Sequence, residues 1–455
     1  MSLSGRIAKL ALLAGLVLLL LPAPGRPEPA GIGWDNTLVA RKGKAKTIAE
    51  LSAMYDSRHC EDCHAKVYHA WDRSAHSEPI LGKRRVGRKA LAIMTIFDIA
   101  REEWPYTKLE SPADVKVEHL MGCAKCHLPQ LADAEDSVAR ELVGDIIAWR
   151  DANKRKDERK AKAIEGKLSQ LSVNCLICHN RNAIVHKWTD GYAPARAIYG
   201  AAADKPHPAG KFPYIKQSPI QDDSLQCGQC HGLGPQLERD NPTQCPTVYG
   251  SYLFDYKARG GDESCQDCHM RRSELGHDIS SYRNPVMIKA ALDFAVDATP
   301  MLMVEDQKAE AGTGGKLTPK IRVSVRMTNR AGHPIPDGCP TTTRLILDVT
   351  AKTPDGKEFF FSEKSYMPIP QNYARGDKMG RGPFQKAAMI IDTALPPLRQ
   401  VAESYEILVP GDGRREIEVE AKLVYLPFGS TKAVDDPVVW RDVIRKVMVE
   451  GRDPD

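Results

Sequence analysis

The chain has 455 residues, of which 27% are charged and only 6% aromatic, and its 64 Lys and Arg against 59 Asp and Glu leave a formal net charge of +5. A chain of this length suggests two or three domains rather than one. The small positive surplus is no sign of nucleic-acid binding, and no segment beyond the N-terminal region is apolar enough to span a bilayer.

Residues 1–30 read as an export signal. Arg6 and Lys9 precede an uncharged apolar run from Leu10 to Leu21, and the Pro-rich stretch Pro22 to Ala30 follows. The run is about 12 residues long, short of the roughly 20 that cross a membrane. Cleavage near Ala30 leaves a mature protein with no membrane span, in the periplasm or outside the cell.

Five Cys-x-x-Cys-His runs come next: Cys60–His64, Cys123–His127, Cys175–His179, Cys227–His231 and Cys265–His269. Composition alone supplies roughly 0.01 such runs in a chain with this Cys and His content, so five are not chance. On a helical turn the Cys at i and i+3 and the His at i+4 share one face. Both thiols can then form thioethers with one porphyrin while the imidazole binds its iron. The run is the attachment signature of c-type haem. A zinc knuckle needs two converging Cys pairs, or a Cys pair and a His pair, and gives no reason for a His after every second Cys. A redox dithiol gives none either.

Five covalently bound haem c groups are therefore expected, with thioethers at Cys60, Cys63, Cys123, Cys126, Cys175, Cys178, Cys227, Cys230, Cys265 and Cys268. The proximal iron ligands are His64, His127, His179, His231 and His269. Haem propionates add negative charge that the formal value omits, so basic patches here balance propionates or dock a redox partner. Gaps of 58, 47, 47 and 33 residues separate the motifs, too unequal for a tandem repeat.

Between the motifs, residues 139–171 carry a helical pattern with Ile146, Ile147 and Trp149 and then a solvated charge run from Asn153. A second amphipathic helix is expected over 285–298, from the spacing of Met287, Ile288, Ala291, Phe294 and Ala295. After Gly312–Gly315 the texture changes. Ile321, Val323, Val325 and Met327 alternate with polar residues, as do Leu345, Leu347 and Val349, then Tyr405, Ile407 and Val409, then Ile417 to Tyr425. Thr353-Pro-Asp-Gly356 marks a turn. Period-two alternation broken by turns predicts antiparallel strands, so 318–427 reads as a small β-sandwich. A short helix is expected over 439–449. The fold class is α+β multidomain: a signal at 1–30, a mainly helical pentahaem cytochrome c domain at 31–298, a linker at 299–317, the sandwich at 318–427 and a tail at 428–455.

Three local patterns resemble one family. Cys60-x-x-Cys63-His64-x-x-x-Tyr68-x-x-Trp71-x-x-Ser74-x-His76 resembles the opening site of multihaem cytochromes c related to the tetrahaem cytochrome of nitrifying bacteria. Cys265-Gln-Asp-Cys268-His269-Met270 followed by Gly276-His277-Asp278 resembles the last site of that group. Ala331-Gly-His333-Pro-Ile-Pro336-Asp-Gly338 is similar to the Gly-His-x-x-Pro-Thr-Gly signature that opens its β-domain, though Asp337 stands where Thr is usual and Cys339 follows. The resemblance implies haem-to-haem electron transfer outside the cytoplasm and, in some relatives, catalysis on small nitrogen or sulfur compounds.

Subtracting the proximal residues from the 13 His leaves eight: His59, His69, His76, His119, His186, His207, His277 and His333. Five would close every iron. The resemblance assigns His76, His277 and His333 as distal ligands. His119, four residues before Cys123, and His186, seven after His179, complete the expected set. His207 is set aside because two prolines restrict its backbone, and His59 and His69 read as solvent-facing. Met121 and Met270 are competing axial ligands that would raise the potential. Cys245 and Cys339, outside the motifs, invite a disulfide in an oxidising compartment.

The leading function is electron transfer between redox partner proteins through closely spaced, mainly bis-His haems, with the β-domain as a docking or assembly module. His333 would then ligate a haem of its own chain or of another copy. The rival is an oxidoreductase in which one haem keeps an open site for a small nitrogen or sulfur compound. No Cys-x-x-Cys-Lys run is present, which lowers the nitrite reductase form of that reading.

Overall fold

Thr47 opens the first described helix of this computed structural model by accepting the Glu50 N–H at 3.1 Å, and Ile48–Met54 then buries Ile48 and Leu51. The structure describes residues 43–81, 109, 111–185, 191–201, 205–207, 212–232, 248–272, 276–279, 282–304, 317–337, 343–372, 386–411, 413–427 and 437–451. The expected signal segment, His186, Cys245 and Cys339 lie outside them. Among the described residues no helix is long and apolar enough to cross a membrane.

The helical part is built on Asp136–Lys154, which buries Val138, Leu142, Val143, Ile146 and Trp149 along one stripe. The single helical stretch expected over 139–171 is in fact two helices. Lys156 takes φ 60° and breaks the first, and Asp157 caps Glu158–Leu168 by accepting the Lys160 N–H at 3.0 Å. The Trp149 indole donates to Glu165 at 2.8 Å and joins the two. Their apolar stripe shares a core with Leu51, Leu120, Leu128, Leu131, Leu171 and Ile177. A small sheet of β1 (Ala197–Gly200), β2 (Lys205–Pro206) and β3 (Tyr214–Gln217) lies in the order β1-β3-β2.

The β part comprises β4 (Leu292–Val304), β5 (Leu317–Asn329), β6 (Arg344–Lys352), β7 (Glu358–Tyr366), β8 (Pro368–Asn372), β9 (Lys386–Asp392), β10 (Gln400–Leu408), β11 (Gly413–Leu426) and β12 (Val438–Gly451). One antiparallel sheet runs β10-β5-β4, another β12-β11-β6-β7, and β8 pairs with β9. The alternating residues Ile321, Val323, Val325, Leu345, Leu347, Val349, Ile417, Val419 and Leu423 form one core between the two larger sheets. Edges meet through side chains: Lys364 and Tyr366 of β7 both donate to Glu403 of β10, at 2.7 and 2.8 Å, and Arg445 of β12 donates to the Val296 carbonyl of β4 at 2.9 Å. The turn at Thr353–Gly356 joins β6 to β7, with Gly356 at φ 81°.

One expected helix is cut short by a strand, and another is a strand throughout. The one placed over 285–298 stops at Ala291, and Leu292 begins β4. Leu292, Phe294, Val296 and Ala298 also alternate, and pairing with β5 from Leu292↔Asn329 to Val304↔Leu317 satisfies the backbone groups that face β5. The helix placed over 439–449 is β12, where Val447 and Val449 point into the core between exposed Lys446, Met448 and Glu450 and the strand pairs along β11. The two sheets therefore draw strands from both sides of 318–427.

Candidate haem sites

Each motif sits on a short helical turn. The first runs from the 3-10 turn Arg58–Cys60 into Glu61–Asp72, and the second ends the helix Val117–His127. The third is the helix Cys175–His179, whose cap Asn174 accepts the Leu176 N–H at 3.0 Å and donates to the Tyr55 carbonyl at 2.8 Å. The fourth begins in Leu225–Gly228, and the fifth lies largely in a wide turn, Asp267–Arg272.

Four of the five proximal imidazoles face a second imidazole. His64 and His207 have ring centroids 6.2 Å apart, His76 and His231 6.3 Å, His179 and His277 6.2 Å, and His269 and His333 6.3 Å. Two imidazoles bound through Nε2 to opposite faces of one iron, at a metal–nitrogen distance of about 2 Å, place their centroids roughly 6.2–6.3 Å apart. Direct ring stacking would bring them closer. The four pairs thus fit a metal between them. Three are near parallel, at 23°, 32° and 19°, while His76–His231 is perpendicular at 90°.

Second partners fix which nitrogen faces the gap. The Nδ1 atoms of His179, His207 and His333 lie 2.8, 2.8 and 2.9 Å from the carbonyls of Tyr199, Phe212 and Pro334. His269 is likewise hydrogen-bonded to the Ile279 carbonyl. A carbonyl requires the proton on Nδ1, which leaves the Nε2 lone pair for a metal. Ile279 itself takes φ 59°, a conformation unusual for a β-branched residue. One loop, 276–279, therefore presents His277 to His179 and a carbonyl to His269.

Electrostatics agree with neutral, metal-binding imidazoles. Desolvation by the surrounding protein, with His76 adding to it, pushes His231 down to about 3 and His127 down to about 4. Desolvation and then His333 push His269 down to about 4, and desolvation also lowers His76, His179 and His277.

The motifs are packed on one another, out of sequence order. The Cys60 and Cys175 thiols are hydrogen-bonded, as are Cys227 with Cys265 and Cys126 with Cys230. Cys178 neighbours both Cys227 and Cys230. The first motif thus adjoins the third, the third adjoins the fourth, and the fourth adjoins both the second and the fifth. Amide side chains lock this arrangement: Gln221 and Gln226 donate to the Cys178 carbonyl, both at 2.9 Å, and Gln266 donates to the Asp223 carbonyl at 2.8 Å. The Trp71 indole donates to the Val173 carbonyl at 2.9 Å, and the Val173 N–H donates to the His76 carbonyl at 3.0 Å.

Of the distal residues expected from sequence, His76, His277 and His333 face proximal imidazoles, and His333 faces one of its own chain. His119 does not. Its Nδ1 accepts the Lys116 N–H at 3.0 Å and closes the helix N-terminus. His207, set aside above, faces His64; its N–H donates to the Pro213 carbonyl at 2.9 Å and the flanking extended backbone turns the ring inward. The Pro-His-Pro run was a signal for a rigid, aimed imidazole. His59 and His69 lie outside the pairs, 59% and 58% exposed. Met121 is buried in the helical core. Among the described residues no imidazole faces His127, and nothing is described of the Cys123 side chain.

No family model matches the chain. A 28-residue stretch is 68% identical to "Cytochrome c3, 50 kDa" of Desulfuromonas acetoxidans, covering 6% of this chain and 93% of that sequence. In three dimensions the chain is similar to a penta-heme cytochrome c552 from Thermochromatium tepidum, with a TM-score of 0.52, covering 90% of this chain and 100% of that one at 17% identity. The second likeness is one of fold.

Proposed function

The chain belongs to the multihaem c-type cytochromes, whose cofactor is haem c, and we propose that it is an exported pentahaem carrier of electrons between redox partner proteins. The observation that carries this reading is the set of four imidazole pairs at 6.2–6.3 Å, each containing the His of a Cys-x-x-Cys-His run. Bound haem would supply one-electron cycling of iron between the ferric and ferrous states.

The residues divide the work. Cys60, Cys63 and His64 with His207 hold the first site, and Cys175, Cys178 and His179 with His277 hold the third. Cys227, Cys230 and His231 with His76 hold the fourth, and Cys265, Cys268 and His269 with His333 hold the fifth. Cys123, Cys126 and His127 hold the second. Carbonyls on Nδ1 fix the ring orientations, and the glutamine bonds between motifs keep neighbouring sites at constant separation, which is what conduction asks of a protein. The fourth site is the junction of the row. Residues 1–30 direct export to the periplasm or beyond and are removed, and the β part forms a sandwich that contributes His333 and a surface for partners, other copies of the chain included.

Electron paramagnetic resonance on purified holoprotein tests this. Low-spin ferric signals from all five haems support the carrier, and a high-spin signal that shifts on adding nitrite or hydroxylamine overturns it. The oxidoreductase alternative, with an open position at one haem, would show one such shifting high-spin signal.

A further inference from the structure

Tyr249, Tyr252 and Tyr256 form a continuous stack beside the fourth and fifth motifs. Tyr249 and Tyr252 have centroids 6.0 Å apart at 17°, and Tyr252 and Tyr256 5.7 Å apart at 25°. All three are buried, at 7%, 8% and 5% exposure. Each lies on a glycine. A Cβ on Gly228, inside the fourth motif, would stand 2.6 Å from the Tyr249 ring. One on Gly261, just before the fifth motif, would stand 2.4 Å from Tyr256. One on Gly332 would stand 3.4 Å from Tyr252 and 3.7 Å from Tyr256.

Gly332 precedes His333, and Gly261 and Glu263 lead into Cys265. Tyr252 also donates its hydroxyl to the Glu263 carbonyl at 3.1 Å. The same two rings therefore touch the backbone that carries the proximal residue, His269, and the backbone that carries the facing residue, His333. From the β part, Asn329 holds that second backbone by donating to the His333 carbonyl at 2.9 Å and accepting the Ala331 N–H at 2.8 Å.

We propose that Tyr252 and Tyr256 are positioning residues for the fifth site: their stacked rings set the distance between the His269 and His333 backbones, so that axial closure there depends on the glycine-seated tyrosines and not on His333 alone. Gly261 is required because a Cβ there would stand 2.4 Å from the Tyr256 ring, whereas a Cβ on Gly332 would only reach ordinary contact with the two rings. The inference rests on the reading that His269 and His333 share one iron.

The test uses full-length holoprotein with Tyr252→Ala, Tyr252→Phe, Gly261→Ala and His333→Ala, read by electron paramagnetic resonance and by haem content per chain. Tyr252→Ala should keep the wild-type haem content and convert one low-spin haem, about one fifth of the total signal, to high spin. Tyr252→Phe keeps the stack and should restore the wild-type spectrum. Gly261→Ala places a methyl 2.4 Å from the Tyr256 ring and should displace the stack, giving a partial conversion of the same signal, and it decides the matter if Tyr252→Ala does not mature. The proposal is overturned if His333→Ala converts one haem while Tyr252→Ala, or Gly261→Ala in its place, leaves the spectrum unchanged. If His333→Ala itself changes nothing, the shared-iron reading fails and takes the proposal with it.

Discussion

His269 and His333 face each other with centroids 6.3 Å apart and planes 19° from parallel, although one ends the fifth motif and the other lies in the loop after β5. The β part thus contributes to a site otherwise built by helical turns. Trp440 and Arg441 of β12 strengthen the joint by donating to the carbonyls of Tyr282, at 3.1 Å, and Ile288, at 3.0 Å.

The ring planes predict a spectrum. Three near-parallel pairs and one perpendicular pair should give two classes of low-spin ferric signal: rhombic signals from the sites of His64, His179 and His269, and one large-g signal from the site of His231. His76→Met should remove the large-g signal selectively and raise that haem's potential. Electron paramagnetic resonance at increasing potential measures both.

His119→Ala should leave every haem signal unchanged. The imidazole accepts the Lys116 N–H and closes a helix end, so its loss costs about 1 kcal/mol of stability, in the range of a helix cap. Thermal unfolding and the visible spectrum of the same sample separate the two outcomes.

The two histidines that differ most from their sequence reading show what a linear pattern holds. Cys-x-x-Cys-His is a local device, legible because thioether and proximal chemistry demand it within five residues. Facing imidazoles are tertiary. His119 stood close to a motif but serves its own helix, while His207, between prolines, is brought to His64 by the small sheet. The strands of 318–427 were legible from alternation because one face of each is buried. β4 and β12 were not: Met287, Ile288, Ala291, Phe294 and Ala295 fit a helical period while Leu292, Phe294 and Val296 fit a strand period, and only pairing with β5 decides between them. The carbonyls on Nδ1 and the motif-to-motif contacts leave no sequence signal.

Arg181 and Asp133 form an ion pair at 3.0 Å with both side chains fully buried, tying the segment after the third motif to that after the second. Tyr55 also donates to Asp133. Arg181→Met removes the cation beside a buried carboxylate and should cost about 3–5 kcal/mol, whereas adding Asp133→Leu should recover a large part of the loss. Denaturant unfolding of the single and double variants measures the coupling.

Asp348 gives a pH signature. Burial first, then Glu363, raises its pKa in the fold, against the pull of Lys422. A raised carboxylate means the native state holds its proton more tightly than the unfolded chain. Its destabilising contribution is absent below the ordinary Asp range and grows as pH rises through the folded value. Asp348→Asn should therefore raise the melting temperature at pH 7 and have no effect near pH 3, which thermal scans across that range would show.

Intact-mass measurement of the exported protein, paired with alkaline pyridine absorption on the same material, tests the central claim most directly. The account predicts a mature chain that begins near residue 31 and carries the mass of five haems retained under denaturing conditions, with a c-type absorption band of matching intensity. A chain of polypeptide mass alone, with free thiols, disulfides or zinc at the five motifs and no porphyrin absorption, would contradict it.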